Sequence, residues 1–269
     1  MIDFDALPLV AAGESKEVRY QGGGRVAIRL RPSVYSYTYN RYGLVPGSDR
    51  LRLEATALLA RVLDRAGVAH AFEHFDPDAG LITAQLLLEP TPEGWRFHPD
   101  DLGNSTPPQI APIEVVVKAA HVGTPRHRYY QTEHYPTRSG ALIAAGDPYP
   151  APIVRFDWRN PLHDAQGNRL ADEPLASDMA ELWINTARAA DLARRAFAAL
   201  SAFLGGRGLR LLDICFFIDR DGGLIFSELS PDCMRVTAAD DSLDKDIWRA
   251  GGSSELLLAK WTRFVELIR

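Results

Sequence analysis

Phe226-Ser-Glu-Leu-Ser-Pro-Asp-Cys-Met-Arg235, followed by Asp244-Lys-Asp-Ile-Trp-Arg249, is the part of this chain whose reading decides the fold. Acidic and basic side chains alternate here just after a predicted hairpin, where a loop can turn them toward one ligand. The hairpin itself is expected over 210–218 and 224–229, across the Asp219-Arg-Asp-Gly-Gly223 turn.

Outward from that segment, 16–20 and 25–30 read as strands joined at Gln21-Gly-Gly-Gly24. The glycines could suggest a phosphate loop, but no Gly-Lys-Ser/Thr follows, and a plain turn is the better reading. A helix is expected over 49–66, capped by Ser48 and stopped by Gly67, with Leu51, Leu58, Leu59 and Val62 on its buried face. Buried strands are expected at 81–88 and 114–120. Between them, 90–112 is rich in Pro, Asp, Gly and Thr and reads as a long surface loop. Asp178 and Glu181 have capping-box spacing for a helix running to about residue 204, and a last amphipathic helix covers 254–268. The pattern predicts an α+β protein: a small N-terminal β-rich lobe with one long helix (1–112) packed on a larger C-terminal α+β lobe (113–269) that carries the pocket.

Composition narrows the function. With 46% hydrophobic and 24% charged residues the chain has the make-up of an ordinary globular protein. A formal net charge of -5 argues against general nucleic-acid or membrane-surface binding, although a local basic pocket for a phosphate is compatible with it. No apolar run reaches the roughly 18 residues of a membrane span, and the start lacks a secretory layout. Two cysteines, Cys215 and Cys233, make no disulfide framework, so a reducing cytoplasm is expected.

The paired motifs resemble the C-terminal signature of SAICAR synthetases, Asp-Glu-x-Ser-Pro-Asp-x-x-Arg and then Asp-Lys-Asp-x-Phe/Trp-Arg. Further segments are similar in the same order: Gly13-Glu-Ser-Lys-Glu-Val-Arg19, Ala66-Gly-Val68, the run from Pro112-Ile-Glu to Gly123-Thr124 with Arg128-Tyr129 after it, and Leu212-Asp213. The resemblance implies a family fold and an ancestral ligase that uses ATP to join aspartate to a carboxyaminoimidazole ribotide. It places the ribotide phosphate at Lys118, Thr124 and Arg235, with Arg128 beside them, the nucleotide-facing carboxylate at Asp232 and the basic pair of the last motif at Lys245 and Arg249. Cations with a hydroxyl donor suit a phosphate dianion, and a carboxylate can accept from ribose hydroxyls.

On the ATP side the match fails. Glu14 stands for a phosphate-binding Lys, Ala84-Gln85 for a Lys-Lys pair, and Phe217 and Ser227 for two carboxylate ligands of Mg²⁺. Hard Mg²⁺ needs oxygen ligands, and phosphoryl transfer draws on metal and lysine clamps. No metal and no cofactor are therefore expected. In the middle of the site, Cys215 replaces an active-site Lys, Arg52-Leu-Glu54 an Asn-Asn-Lys, and Arg159-Asn-Pro161 a Lys-Asn-Asp loop.

The expected ligand is an imidazole ribotide, and the expected reaction an ATP-independent ring closure or rearrangement toward a purine-like nucleoside of the coformycin or pentostatin type. An ATP-dependent SAICAR synthetase and a catalytically inactive nucleotide-binding subunit are the alternatives, and a homodimer is left open. The acid/base candidates are Glu228, His121, Asp213 and Cys215. Glu228 comes first, because loss of a neighbouring metal should ease its protonation. His121 is equally readable as structural, and Cys215 reads rather as a buried small hydrophobe than as a nucleophile. His70 and His74 would share a helical face only if helical, and they follow the helix stop.

Overall fold

The computed structural model describes residues 3–36, 41–91, 94–95, 107–123, 131–160, 164–167 and 170–269. Gly22, Gly23 and Gly24 all adopt positive φ (92°, 61° and 74°), the left-handed conformation that glycine takes without strain. They close the hairpin of β2 (Lys16–Gly22) and β3 (Arg25–Leu30) as the plain turn expected of them. An antiparallel sheet grows around that hairpin in the order β1-β2-β3-β7-β6, with β1 at Leu9–Ala12, β6 at Phe72–Asp76 and β7 at Leu81–Gln85. One face, with Tyr20, Val26, Ile28, Leu30 and Ile82, packs on Leu53, Leu59 and Leu63 of helix α1 (Ser48–Arg65).

Ser48 does not cap α1. Gly47 precedes the helix at φ 94° and offers no side chain, and Ser48 is its first residue, buried with no hydrogen bond to Oγ among the described residues. The small strands β4 (Ser33–Ser36) and β5 (Arg41–Leu44) pair with each other, as do β8 (Pro90–Thr91) and β9 (Gly94–Trp95) within the expected surface loop.

The second sheet is antiparallel, with order β12-β11-β10-β13-β14-β15. Its strands are β10 (Ile110–Ala120), β11 (Pro148–Trp158), β12 (Glu173–Leu175), β13 (Leu209–Asp219), β14 (Met234–Ala238) and β15 (Asp241–Ser242). Strand alternation sends Val115, Val117, Ile214 and Phe216 into one core with Leu192, Ala196 and Leu200. Those last three belong to the long helix that covers this face (Thr186–Gly205). The register then forces Glu114, Val116 and Lys118 of β10 onto the opposite face. Phe217, Cys215 and Asp213 of β13 lie beside them, and Arg235 of β14 lies beyond Asp213.

Two expectations give way here. The capping box of Asp178 and Glu181 does not form. Among the described residues Asp178 accepts only from its neighbour Met179, and a single turn α2 (Ser177–Ala180) ends before α3 (Thr186–Gly205) begins. Asn185 caps α3 by accepting from the Arg188 amide at 3.0 Å, and its own amide is tied to the Arg220 carbonyl. Glu181 adds to this start by accepting from the Thr186 amide at 2.8 Å, so the helix begins at 186 with Asn185 and Glu181 on its first amides. Residues 224–229 are likewise no strand. Ile225 makes isolated bridges to Ile218 and His70, but β14 takes the ladder beside β13. The segment between is held by single backbone bonds, Ile225 with Ala69 and Ala71 and Phe226 with Phe217, and by side chains beyond them.

The last helices are α4 (Asp246–Arg249) and α5 (Ser254–Ile268). Phe264, Val265 and Ile268 of α5 join a core that runs without a break beneath both sheets, α1 and α3. A smaller cluster of Val34, Val45, Trp248, Leu257 and Trp261 seals the β4–β5 hairpin against α4 and α5.

Candidate functional site

The face of the second sheet turned away from α3 carries the charged residues singled out by sequence. At one end Asp213 accepts from Lys118 Nζ at 2.6 Å and from Arg235 Nη1 at 2.8 Å. Arg235 also reaches Asp246 through Nε at 3.1 Å, and Arg249 binds the other oxygen of Asp246. Three cations thus share two carboxylates, and a third carboxyl, Asp244, lies buried beside them with its pKa pushed up to about 7, by burial first and then by Asp246. Lys245 pairs with Asp232 at 3.0 Å alongside. Gly123, at φ 66°, packs its backbone on Arg235: a Cβ there would lie 2.6 Å from Nη1. Thr124 and Arg128, the remaining expected phosphate ligands, lie outside the described residues.

Asp213 does not suit the acid/base role considered for it. Burial pushes its pKa up, but Arg235 and Lys118 outweigh burial and hold it far below the usual carboxylate range. His121 is 5% exposed, with Nδ1 3.0 Å from the Tyr149 hydroxyl and Nε2 3.3 Å from Thr132 Oγ1. Cys215 is half-buried on the sheet face, and burial, reinforced by Glu114 and Asp213, raises its thiol well above the ordinary value. It carries no thiolate at neutral pH.

At the other end the N-terminal sheet and α1 meet the 226–233 segment. Arg52, fully buried, grips Glu228 with Nε on Oε1 at 2.9 Å and Nη2 on Oε2. Ser230 Oγ donates to the same carboxylate at 2.6 Å. Burial alone would raise the pKa of Glu228, but the Arg52 charge and hydrogen bond dominate and bring it down to about 2. The expectation that Glu228 protonates easily is therefore reversed, because a fixed guanidinium now neutralises it.

Beside this pair the Phe217 ring stacks on Phe226, with centroids 5.8 Å apart at 25°. Arg159 lies 4.9 Å and Lys16 Nζ 6.0 Å from the Phe217 centroid. Burial, opposed by Glu228 and aided by Arg159 and Arg52, lowers the Lys16 pKa to about 8. Glu114 sits across the strand from Phe217; burial first, then Asp172, pushes it up to about 7. The sequence motifs contain Glu114 and Lys16 but assign them no role, and they mark Arg52 and Arg159 only as replacements. The near-neutral pKa values of Glu114 and Lys16 are a signal that only three-dimensional placement supplies.

The resemblance puts two Mg²⁺ ligands at Phe217 and Ser227, and the residues there do not fit that ion. One is a stacked aromatic ring flanked by cations. The other is a buried hydroxyl with no hydrogen-bond partner among the described residues. Among the described residues no group of three or more His, Cys, Asp or Glu is placed to hold a metal. Two cavities, of about 560 and 510 Å³, lie elsewhere, one beside Trp183 and Arg220 and one beside His70 and Phe72. The site lies apart from both, where the charged face of the second sheet meets Lys16 of β2 and Arg52 of α1. No helix among the described residues is long and apolar enough to cross a membrane.

Known proteins resemble this chain in sequence and fold. The sequence model of the SAICAR synthetase family matches residues 89–262. The bifunctional cordycepin biosynthesis cluster protein 3 of Cordyceps militaris is 26% identical over 309 residues, covering 97% of this chain and 33% of that protein, so the chain spans about a third of its length. The phosphoribosylaminoimidazole-succinocarboxamide synthase of Caldivirga maquilingensis is 24% identical, covering 97% of this chain and 95% of the enzyme. Among solved structures, a SAICAR synthetase in complex with ADP superimposes with a TM-score of 0.74 at 19% identity, covering 97% of each chain. The Saccharomyces cerevisiae enzyme complexed with SAICAR gives 0.71 at 16% identity over 100% of this chain and 97% of its own. At such identities the superposition speaks for the fold.

Proposed function

The chain belongs to the SAICAR synthetase family, and from that premise we propose that it binds an imidazole ribotide and closes or rearranges its ring without ATP. The ribotide phosphate is held by Lys118, Arg235 and Arg249, with Thr124 and Arg128 added on the resemblance alone. Asp232, braced by Lys245, faces the sugar. The product class is a purine-like nucleoside of the coformycin or pentostatin type. Similarity to a cordycepin-cluster protein supports that nucleoside connection.

One observation carries the reading. The two ends of a single sheet face have diverged unequally: the basic end keeps its charges, with Lys118 where the family has an Arg, whereas the former metal end is an aromatic stack crowned by Lys16 and Arg159. From Asp213 to Phe217 is four strand residues, about 13 Å, a span a ribotide can bridge from phosphate to base. Binding the phosphate at the basic end thus lays the imidazole toward Phe217 and the paired Arg52 and Glu228. Ring closure needs carbonyl activation and proton transfer, which side chains of near-neutral pKa supply.

The cations around Phe217 also favour a second reading, an ATP-dependent ligase whose triphosphate meets Lys16 and Arg159 without the usual metal ligands. Calorimetric titration separates the two. The proposal expects saturable binding of an aminoimidazole carboxamide ribotide and none of ATP-Mg²⁺ below millimolar concentration. A micromolar dissociation constant for ATP-Mg²⁺ would favour the ligase instead. Ribotide binding with no turnover of any imidazole ribotide would leave a binding subunit.

A further inference from the structure

The chain's lysines are Lys16, Lys118, Lys245 and Lys260. Three are neutralised by a carboxylate: Lys118 by Asp213, Lys245 by Asp232 and Lys260 by Asp241. Lys16 differs. Among the described residues no carboxylate lies within salt-bridge distance of it, and its ammonium faces the Phe217 ring from the other side of the cleft. β2 carries it there from the N-terminal sheet. The groups around it are Arg52 of α1, Arg159 after β11, and Glu228 and Cys233 of the 226–233 segment. Glu228, the one anion of that set, is already bonded in bidentate fashion by Arg52.

A half-buried ammonium crowded by guanidinium groups and lacking its own counter-ion gives up its proton easily. Proximity to a second cation and removal from water are the means by which proteins turn a lysine into a nucleophile toward carbonyl carbon. We infer that Lys16 is such a nucleophile, adding to an aldehyde or ketone group on the ligand of this cleft to form an imine. The amine lone pair makes the C–N bond while the carbonyl π pair moves to oxygen. Oxygen gains a proton and nitrogen loses one, giving a carbinolamine, and departure of water leaves the C=N bond. The step consumes no oxidant, reductant or metal. At about 8, the Lys16 pKa leaves a substantial share of the amine neutral at pH 7.5.

The inference deepens the proposed function by requiring a carbonyl on the substrate. It rests on that reading for the identity of the ligand, but not for the reactivity of the amine. Pyridoxal, a planar heteroaromatic aldehyde without phosphate, is the probe. The full chain is treated with pyridoxal and cyanoborohydride at pH 7.5, and modified lysines are quantified by peptide mass mapping. Lys16 should be modified at least tenfold faster than Lys118, Lys245 and Lys260. In guanidinium chloride the four should react alike, which shows that the cleft and not the local sequence activates the amine. Equal rates in the folded protein, or a Lys16 preference that persists when unfolded, would overturn the inference. Neither ribotide nor turnover enters this measurement, so a failed ribotide reading shows separately, in the calorimetry above.

Discussion

Arg235 holds two carboxylates, presses against the backbone of Gly123 and is two-thirds enclosed or more by the sheet face. Arg235→Ala should weaken imidazole-ribotide binding by about 2 kcal/mol or more, the scale of a lost buried charge contact. The matching nucleoside, lacking the phosphate, should be nearly indifferent; equal losses for both would place the phosphate elsewhere. Gly123→Ala is a milder test of the same contact. Its Cβ collides with the guanidinium and its φ of 66° suits glycine, so ribotide affinity should fall while ATP-Mg²⁺ behaviour stays unchanged. Glu228, by contrast, changes role from proton carrier to anchor. Removing its charge in Glu228→Gln leaves Arg52 buried and unpaired, a change expected to cost about 3–5 kcal/mol of stability. Denaturant melts of the variant against Glu228→Asp measure it.

Elements were legible where a turn residue or a periodic apolar face fixed them locally. The β2–β3 hairpin, α1, α5 and the centre of β10 fall where the sequence puts them, within a few residues. β11 went unrecognised because Pro148, Pro150 and Pro152 disguise it; prolines are tolerated since β12 pairs with only the last residues of its outer edge. The start of α3 lies later than the capping-box spacing predicts, because Glu181 reaches forward to the Thr186 amide and Asn185 takes the cap. Asn185 wins through its tie to Arg220, a contact far away in sequence. Asn185→Ala should therefore destabilise the protein by about 1 kcal/mol, and Asp178→Ala by much less. Thermal melts in which the two variants shift alike would contradict this. Gly222→Ala tests the same junction. Its φ is 73°, and an added Cβ would lie 2.6 Å from the Ala189 amide in the first turn of α3. The melting temperature should fall further than for Asn185→Ala.

At the scale of the whole molecule, charge pairs between distant elements set the response to pH. Glu228, with a folded pKa of about 2 against 4.5 unfolded, binds Arg52 across the interface between α1 and the 226–233 segment. Its stabilisation is complete above the unfolded value and is lost as pH falls from about 4.5 toward 2. Lys16 acts in the opposite sense. Its folded pKa of about 8 lies below the unfolded 10.5, so the unfolded chain binds more protons between those values and stability rises with pH across that window. Lys16→Met should therefore raise stability at pH 7 and flatten the gain between pH 8 and 10. Chemical denaturation at a series of pH values reads both effects, and a Lys16→Met variant that tracks the parent above pH 8 would remove Lys16 as the source. This uncompensated charge is a cost the fold carries at its cleft, as functional sites often do.

The amino-acid sequence by itself determined the α+β class, the strand and helix segments with strong local signals, and the ordered motifs that place the chain in its family. It also marked the divergence at Phe217 and Ser227, since residue identity alone shows whether a carboxylate is present. Pairing was beyond its reach. That Arg52 neutralises Glu228, that Asp213 is shared by Lys118 and Arg235, and that Lys16 alone among the lysines lacks a carboxylate partner among the described residues were decided by tertiary structure. The physical reason is that a side chain's protonation depends on burial and on charges within a few ångströms. Those neighbours come from strands and helices as many as 176 residues apart in the chain.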